Sequence, residues 1–268
     1  MKRVLTSIVA APVLLAVLLY ASPAWFLVII FLVTVAALWE CSSLTLPECD
    51  PAGRFAVVVV GSAMPLLVYW RGMDVVPWLL AAALFILFLH HMTGRRDVSS
   101  TVRYLGAGSF SLLYVPLLLS FMVLLRGGED GQWWILFLFA VIWGNDILAY
   151  YTGRAIGRHK LSRVVSPKKT IEGAIGGLVG GIVVAVVFRY ALFSDRGVVE
   201  LATLALLLGL VGQAGDLFES MIKRSAGVKD SGFIVPGHGG ILDRIDSLLF
   251  CLPLLYCYIT FHGCLWQG

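Results

Sequence analysis

Apolar residues run through this chain in long blocks that short polar segments interrupt. Nine blocks read as membrane helices, at about 4–20, 24–39, 55–70, 76–92, 104–125, 132–151, 171–193, 201–218 and 246–266, since a bilayer core takes about 20 mostly apolar residues per helix. Pro65 and Pro77 interrupt or shorten the third and fourth, which leaves those boundaries soft. The first block follows Lys2 and Arg3 and ends near Ala21-Ser22-Pro23, as a signal peptide would. Eight further blocks behind it favour an uncleaved helix. The pattern therefore predicts an all-α integral membrane protein with about nine transmembrane helices.

Composition agrees. Of 268 residues, 59% are hydrophobic and 13% charged, with a mean hydropathy of +0.91; an average soluble domain carries roughly 25% charged residues. A soluble globule, a disordered chain and a secreted disulfide scaffold are excluded. The five cysteines, Cys41, Cys49, Cys251, Cys257 and Cys264, form no C-x-x-C pair and read as small hydrophobes.

Charge placement sets the orientation. With the N-terminus cytoplasmic and the C-terminus outside, 16 Lys and Arg fall on the inner side and four, Arg71, Arg126, Arg189 and Arg196, on the outer. That asymmetry is the positive-inside signal. The acids divide 11 inside to five outside, so the inner face nets +5 and the outer −1. Residues 1–130 form a hydrophobic platform without a motif that ties to chemistry. Residues 131–268 carry the charged centre, with inner loops at 152–170 and 219–245.

Five carboxylates sit at the ends of three predicted helices: Asp146 in the sixth, Asp216 and Glu219 closing the eighth, Asp243 and Asp246 opening the ninth. Acids in apolar spans pair, bind ions or line a wet site. Asp216, Glu219, Ser220 and Lys223 run i, i+3, i+4, i+7 and share one helical face; Asp243 and Asp246 share another. Two such faces meeting would suit a hard cation such as Mg²⁺. The plainer alternative pairs Asp216 with a basic neighbour and Glu219 with Lys223.

Between those helices lie Lys229-Asp230-Ser231-Gly232 and Pro236-Gly237-His238-Gly239-Gly240. The glycines permit close backbone approach, and successive N–H groups form a nest for phosphate oxygens. Lys223, Arg224, Lys229 and Arg244 add positive charge. No Walker A loop occurs. The other inner loop ends Ser166-Pro167-Lys168-Lys169-Thr170. Ser166 is placed to cap the seventh helix with Pro167 at its first position, and the lysines serve either as a lipid-surface anchor or as ligand groups. Gly173, Gly177 and Gly181, with Gly176 and Gly180, make a small-residue ridge for helix packing or a subunit contact.

These segments resemble one family closely. Ser220-Met221-Ile222-Lys223-Arg224, Lys229-Asp230 and Pro236-Gly237-His238-Gly239-Gly240-Ile241-Leu242-Asp243-Arg244-Ile245-Asp246 match the signature of phosphatidate cytidylyltransferases, the membrane CDP-diacylglycerol synthases. Asp146-x-x-Ala149-Tyr150-x-x-Gly153 and Gly215-Asp216-Leu217-Phe218-Glu219 agree with it, so the resemblance covers about 146–246. Val235 and Phe233 depart from the signature without replacing a charged or glycine position.

The resemblance implies CTP + phosphatidate → CDP-diacylglycerol + pyrophosphate, at a multi-pass inner or plasma membrane with the site facing the cytoplasm. It implies a homodimer, Mg²⁺ at Asp216 and Asp243, and a place for a second cation such as K⁺; no nucleic-acid partner is expected. Asp246 and Glu219 join the metal set. Lys223, Arg224, Lys229, His238, Gly239, Gly240 and Arg244 are candidates for the triphosphate. Ser166, Lys168, Lys169 and Asp146 are candidates for the lipid phosphate, CTP or a cation. The attacking phosphate is already ionised at neutral pH, so no Ser, Cys or His nucleophile is required; positioning and neutralisation do most of such chemistry. Two rivals stand beside this reading: a CTP-dependent polyprenol or phytol kinase, and an ion-coupled transporter. A transporter would favour acids near the midplane and repeated halves, and no repeat is visible. A CDP-alcohol phosphotransferase lacks its D-G-x-x-A-R pattern here.

Overall fold

The computed structural model describes residues 12, 15–46, 51–94, 97–233 and 239–265, with side chains through 261. Among these residues the chain is helical with no β-strand. Eight helical segments are long and apolar enough to cross a membrane: Pro23–Thr45, Pro51–Arg71, Met73–Thr93, Val98–Gly127, Gly131–Ile156, Ile171–Ala191, Val198–Ser225 and Leu242–Phe261. They coincide with the second to ninth predicted blocks. The first, at 4–20, lies mostly outside the described residues.

The helices are α1 (Pro23–Thr45), α2 (Pro51–Arg71), α3 (Val76–Thr93), α4 (Thr101–Leu112), α5 (Leu118–Gly127), α6 (Gly131–Ile156), α7 (Ile171–Ala191), α8 (Val198–Ser225), α9 (Leu242–Leu249) and α10 (Cys251–Leu265). Ser22 caps α1, with Pro23 at its first position. Pro65 stays inside α2 without ending it. A five-residue π turn, Leu113–Leu117, joins α4 to α5 and contains Pro116, where the wider turn absorbs a residue with no N–H to donate. The predicted ninth span is not one helix but α9 and α10, broken at Phe250. Pro253 cannot donate to the Leu249 carbonyl, four residues earlier, and its ring crowds that carbonyl.

The chain forms two compact units, Met1–Glu129 with Ser225–Ile245, and Asp130–Arg224 with Asp246–Gly268. In the first, α1 packs on α2 and α2 on α3. Met64, Val68 and Val76 anchor an apolar cluster with Leu79, Leu80, Leu117 and Leu124. Cys41 is buried with its thiol on Ser111 Oγ, as a small hydrophobe with a weak donor.

In the second unit α6 and α7 pack closely along their length. The cause is the glycine ridge. A Cβ on Gly173 would lie 2.8 Å from the Ala149 carbonyl oxygen, and one on Gly177 2.9 Å from that of Asn145, so only glycine lets these backbones meet. The ridge is used within the chain. The opposite face of α7 exposes Ile175, Val179, Val183 and Val187 at helical spacing, an apolar stripe suited to lipid. Far along the helices from the 157–170 loop, Trp134 stacks on Phe193 at 4.3 Å between centroids, with Arg196 over its ring.

Candidate active site

In the second unit, α8 brings the acids together. Its 28 residues reach about 42 Å at 1.5 Å per residue, well beyond a hydrocarbon core of about 30 Å. Its last turns, from Asp216 onward, thus extend past the apolar slab when the rest crosses it. Gly215 lies against α9: a Cβ there would be 2.7 Å from the Asp246 carbonyl oxygen. That close approach sets Asp216 beside the start of the chain segment that carries Asp246.

One turn earlier, Gln213 ties three helices. Its Nε2 donates to Asn145 Oδ1 at 3.0 Å and to the Ala174 carbonyl at 2.9 Å. A polar side chain in an apolar span calls for such partners; Gln213 and Asn145 escaped the sequence reading, although Asn145 adjoins Asp146 and Gln213 interrupts Gly212-Gln213-Ala214.

Asp216 is ion-paired with Lys169, both partly buried. The two line a cavity of about 390 Å³ together with Asp146, Tyr150, Arg154, Lys168 and Gln213. The loop that delivers the lysines is itself built. Lys160 bridges Thr170 in antiparallel fashion, and Leu161 N–H donates to the Lys169 carbonyl. Glu172 accepts from the N–H groups of Arg158 and His159, with His159 Nδ1 at 2.6 Å.

Ser166 does not cap α7. Its carbonyl accepts from Lys169 N–H in a turn, while Thr170 Oγ1 accepts from Gly173 N–H at 3.1 Å. Residue 170 has the extended backbone an N-cap needs and stands three residues before its donor; Pro167 lies in the turn, outside the helix.

Glu219 is fully buried and ion-paired with Lys223 at i+4, the pairing the spacing allowed. Arg224 Nε donates to the Val165 carbonyl at 3.4 Å, linking α8 to the lysine loop. Ser220 Oγ stands 3.5 Å from Asp216 Oδ1.

The glycine-rich loop belongs to the first unit, and four of its described N–H groups go to carboxylates of the chain. Asp243 Oδ2 accepts from Ser231 N–H at 3.1 Å and Gly240 N–H at 2.8 Å. The N–H groups of Ile241 and Leu242 go to Glu40. The loop turns on Gly239, whose φ of +84° an L side chain adopts only with strain, and a Cβ there would stand 2.7 Å from Asp243 Oδ2. Lys229, Asp230 and Arg244 are exposed. His238 lies outside the described residues.

Among the described residues no three His, Cys, Asp or Glu side chains form a ready-made metal cage. The donor chemistry nonetheless suits a hard cation: Asp146, Asp216 and Asp246 offer carboxylate oxygens, of which that of Asp216 is paired with the Lys169 ammonium.

Known proteins decide what such an arrangement belongs to. The profile of the cytidylyltransferase family matches residues 1–262. The chain belongs to that family. A phosphatidate cytidylyltransferase from Staphylococcus haemolyticus is 36% identical over 261 residues, which cover 94% of this chain and 96% of the relative. Namesakes from Staphylococcus saprophyticus and Staphylococcus aureus strain COL are 36% and 37% identical at the same coverage. The family match thus spans the helices that carry Asp216 and Asp246 as well as those that carry Glu40.

Proposed function

We propose that this family member transfers the cytidylyl group of CTP to phosphatidate, giving CDP-diacylglycerol and pyrophosphate for phospholipid synthesis. The observation that carries the reading is the Lys169–Asp216 pair on the wall of a cavity that also holds Lys168 and Asp146, in a chain whose relatives bear that enzyme's name. A lysine pair beside carboxylates is what two anionic substrates and a hard cation need.

A phosphate oxygen of phosphatidate attacks the α-phosphorus of CTP, the bond from that phosphorus to the bridging oxygen breaks, and pyrophosphate departs. Lys168 and Lys169 neutralise and orient phosphate oxygens at the cavity, and the lipid enters from the leaflet. Lys223, Lys229, Arg224, His238 and Arg244 are the further cations assigned to the triphosphate and its leaving group. Mg²⁺, when bound, supplies charge neutralisation to the phosphates. Asp216 and Asp246 would hold it, with Asp243 as the ligand marked by the sequence signature. The inner-face excess of Lys and Arg supports a cytoplasmic site in a multi-pass membrane protein, and family resemblance supports a homodimer.

The test is one incubation of purified protein with phosphatidate and α-labelled CTP, with and without a chelator. Label should pass into the lipid phase with release of pyrophosphate, and chelation should stop it. Transfer of γ-label into a lipid phosphate would replace this reading with the kinase. Ion flux in vesicles without nucleotide, and no labelled lipid, would replace it with the transporter.

A further inference from the structure

Glu40 stands in the half of the chain where the sequence offers no chemistry. It lies on α1, near the end of a largely apolar span, and is 2% exposed. A carboxylate buried there is costly unless donors satisfy it, and its donors come from the glycine-rich signature loop and the helix start that follows it. Oε1 accepts from Ile241 N–H at 3.0 Å. Oε2 accepts from Leu242 N–H and from Ser231 Oγ, each at 2.9 Å.

The fit is tight on both sides. A Cβ on Gly232 or Gly240 would collide with the Glu40 carboxylate, so these two glycines make room for it. The N–H of Leu242 opens α9 and that of Ile241 immediately precedes it, at a helix start where orphan donors and the helix dipole favour a negative charge. Glu40 is thus a cap supplied by a helix 202 residues away in sequence.

The same loop residues hold Asp243. Ser231 gives its hydroxyl to Glu40 and its N–H to Asp243; Gly240 packs on Glu40 and gives its N–H to Asp243. The two carboxylates share the partners Ser231 and Gly240, so the rotamer of Asp243 depends on a loop that Glu40 secures.

We propose that Glu40 is a positioning residue for the transferase reaction, acting through the signature loop to fix the carboxylate of Asp243. The inference rests on the transferase reading above for its catalytic part. The clasp itself is testable without it.

The experiment compares wild type with Glu40→Gln, Glu40→Asp and Glu40→Ala. Amide hydrogen exchange is measured first on metal-free protein in detergent. Residues 229–243 should exchange about tenfold faster in Glu40→Ala or Glu40→Gln, as expected when hydrogen bonds to a charged group are lost, while α6 and α7 keep wild-type protection. Kinetics follow. In Glu40→Gln, which places an amide N–H₂ where one N–H donor needs an acceptor, kcat should fall about tenfold or more and half-activation should require several-fold more Mg²⁺. The KM for phosphatidate should stay within about twofold, and Glu40→Asp should recover part of kcat. If Glu40→Ala does not fold, the Gln and Asp variants carry the test. Unchanged exchange over 229–243 would overturn the clasp. Faster exchange with wild-type kcat and Mg²⁺ dependence would overturn the positioning role. A wild-type protein that makes no labelled lipid would overturn the transferase reading and leave the exchange result standing.

Discussion

Two loops in this molecule are each fastened by one glutamate, and the two fastenings differ in kind. Glu172, on α7, is partly exposed and holds the lysine loop through the N–H groups of Arg158 and His159 and the exposed His159 ring. Glu40, on α1, is buried and holds the signature loop through Ile241, Leu242 and Ser231. Water can replace the donors of Glu172 at small cost. Nothing apolar can replace those of Glu40, so its loss leaves buried groups unsatisfied. Burial rather than the number of hydrogen bonds should decide which loop fails first.

The largest effect belongs to what a loop delivers and not to its fastening. Asp216 receives Lys169 and stands beside Asp246. Asp216→Asn keeps the shape and removes the charge, and turnover of labelled CTP into lipid should fall by about 10³ or more, the scale seen when a preorganised electrostatic group is lost. Near-normal turnover at excess Mg²⁺ would remove Asp216 from the metal assignment. Lys169→Ala should follow, with about a hundredfold loss in kcat/KM. A loss confined to the phosphatidate dependence would assign Lys169 to the lipid, and one confined to CTP would assign it to the nucleotide.

The same comparison separates what the sequence discloses from what it hides. The spans are legible because lipid tolerates only internally bonded backbone, so each helix must announce itself as an apolar run. Asp216 and Asp246 are legible because charge in such a run needs a cause, and Lys169 because it stands in a basic loop at the start of one. Glu40 carries an equal anomaly at the end of the second run, but its partners lie 191 to 202 residues away, and no local spacing reports a contact of that range. The glycines of the signature loop suggested a phosphate nest, but no local pattern reports that the N–H groups of Ser231, Gly240, Ile241 and Leu242 go to Asp243 and Glu40. The choice of Thr170 over Ser166 as the cap of α7 turned on where the turn closed, which is tertiary. Pro253 was in plain view, yet its break at Phe250 is a matter of one carbonyl.

Packing offers a further test within the second unit. Gly215→Ala would place a methyl group 2.7 Å from the Asp246 carbonyl oxygen, which backbone cannot relieve by rotating a side chain. Overpacking of this kind costs about 1–3 kcal/mol, so the variant should melt earlier in detergent and lose activity in step with the shift of α8. Asp246 and Asp216 would separate, and the demand for Mg²⁺ should rise. Retained stability with lowered Mg²⁺ affinity would assign the glycine to the site alone; the reverse would assign it to packing alone.

The smallest effect is expected where the comparison began, at Glu172. Glu172→Gln keeps an acceptor for one backbone N–H and weakens the contact with His159, whose ring is 74% exposed. The lysine loop retains the Lys160–Thr170 bridge and the Leu161–Lys169 hydrogen bond, so Lys169 should still reach Asp216. Turnover should stay within about threefold of wild type, as for most surface changes. Trypsin should reveal the loosening first, cutting at Arg158, Lys160 or Arg163 a few-fold faster, since cleavage follows the population of locally open chain. A loss of activity as large as that of Glu40→Gln would show that exposure does not weaken the clasp, and that the bridge cannot hold the loop without its glutamate.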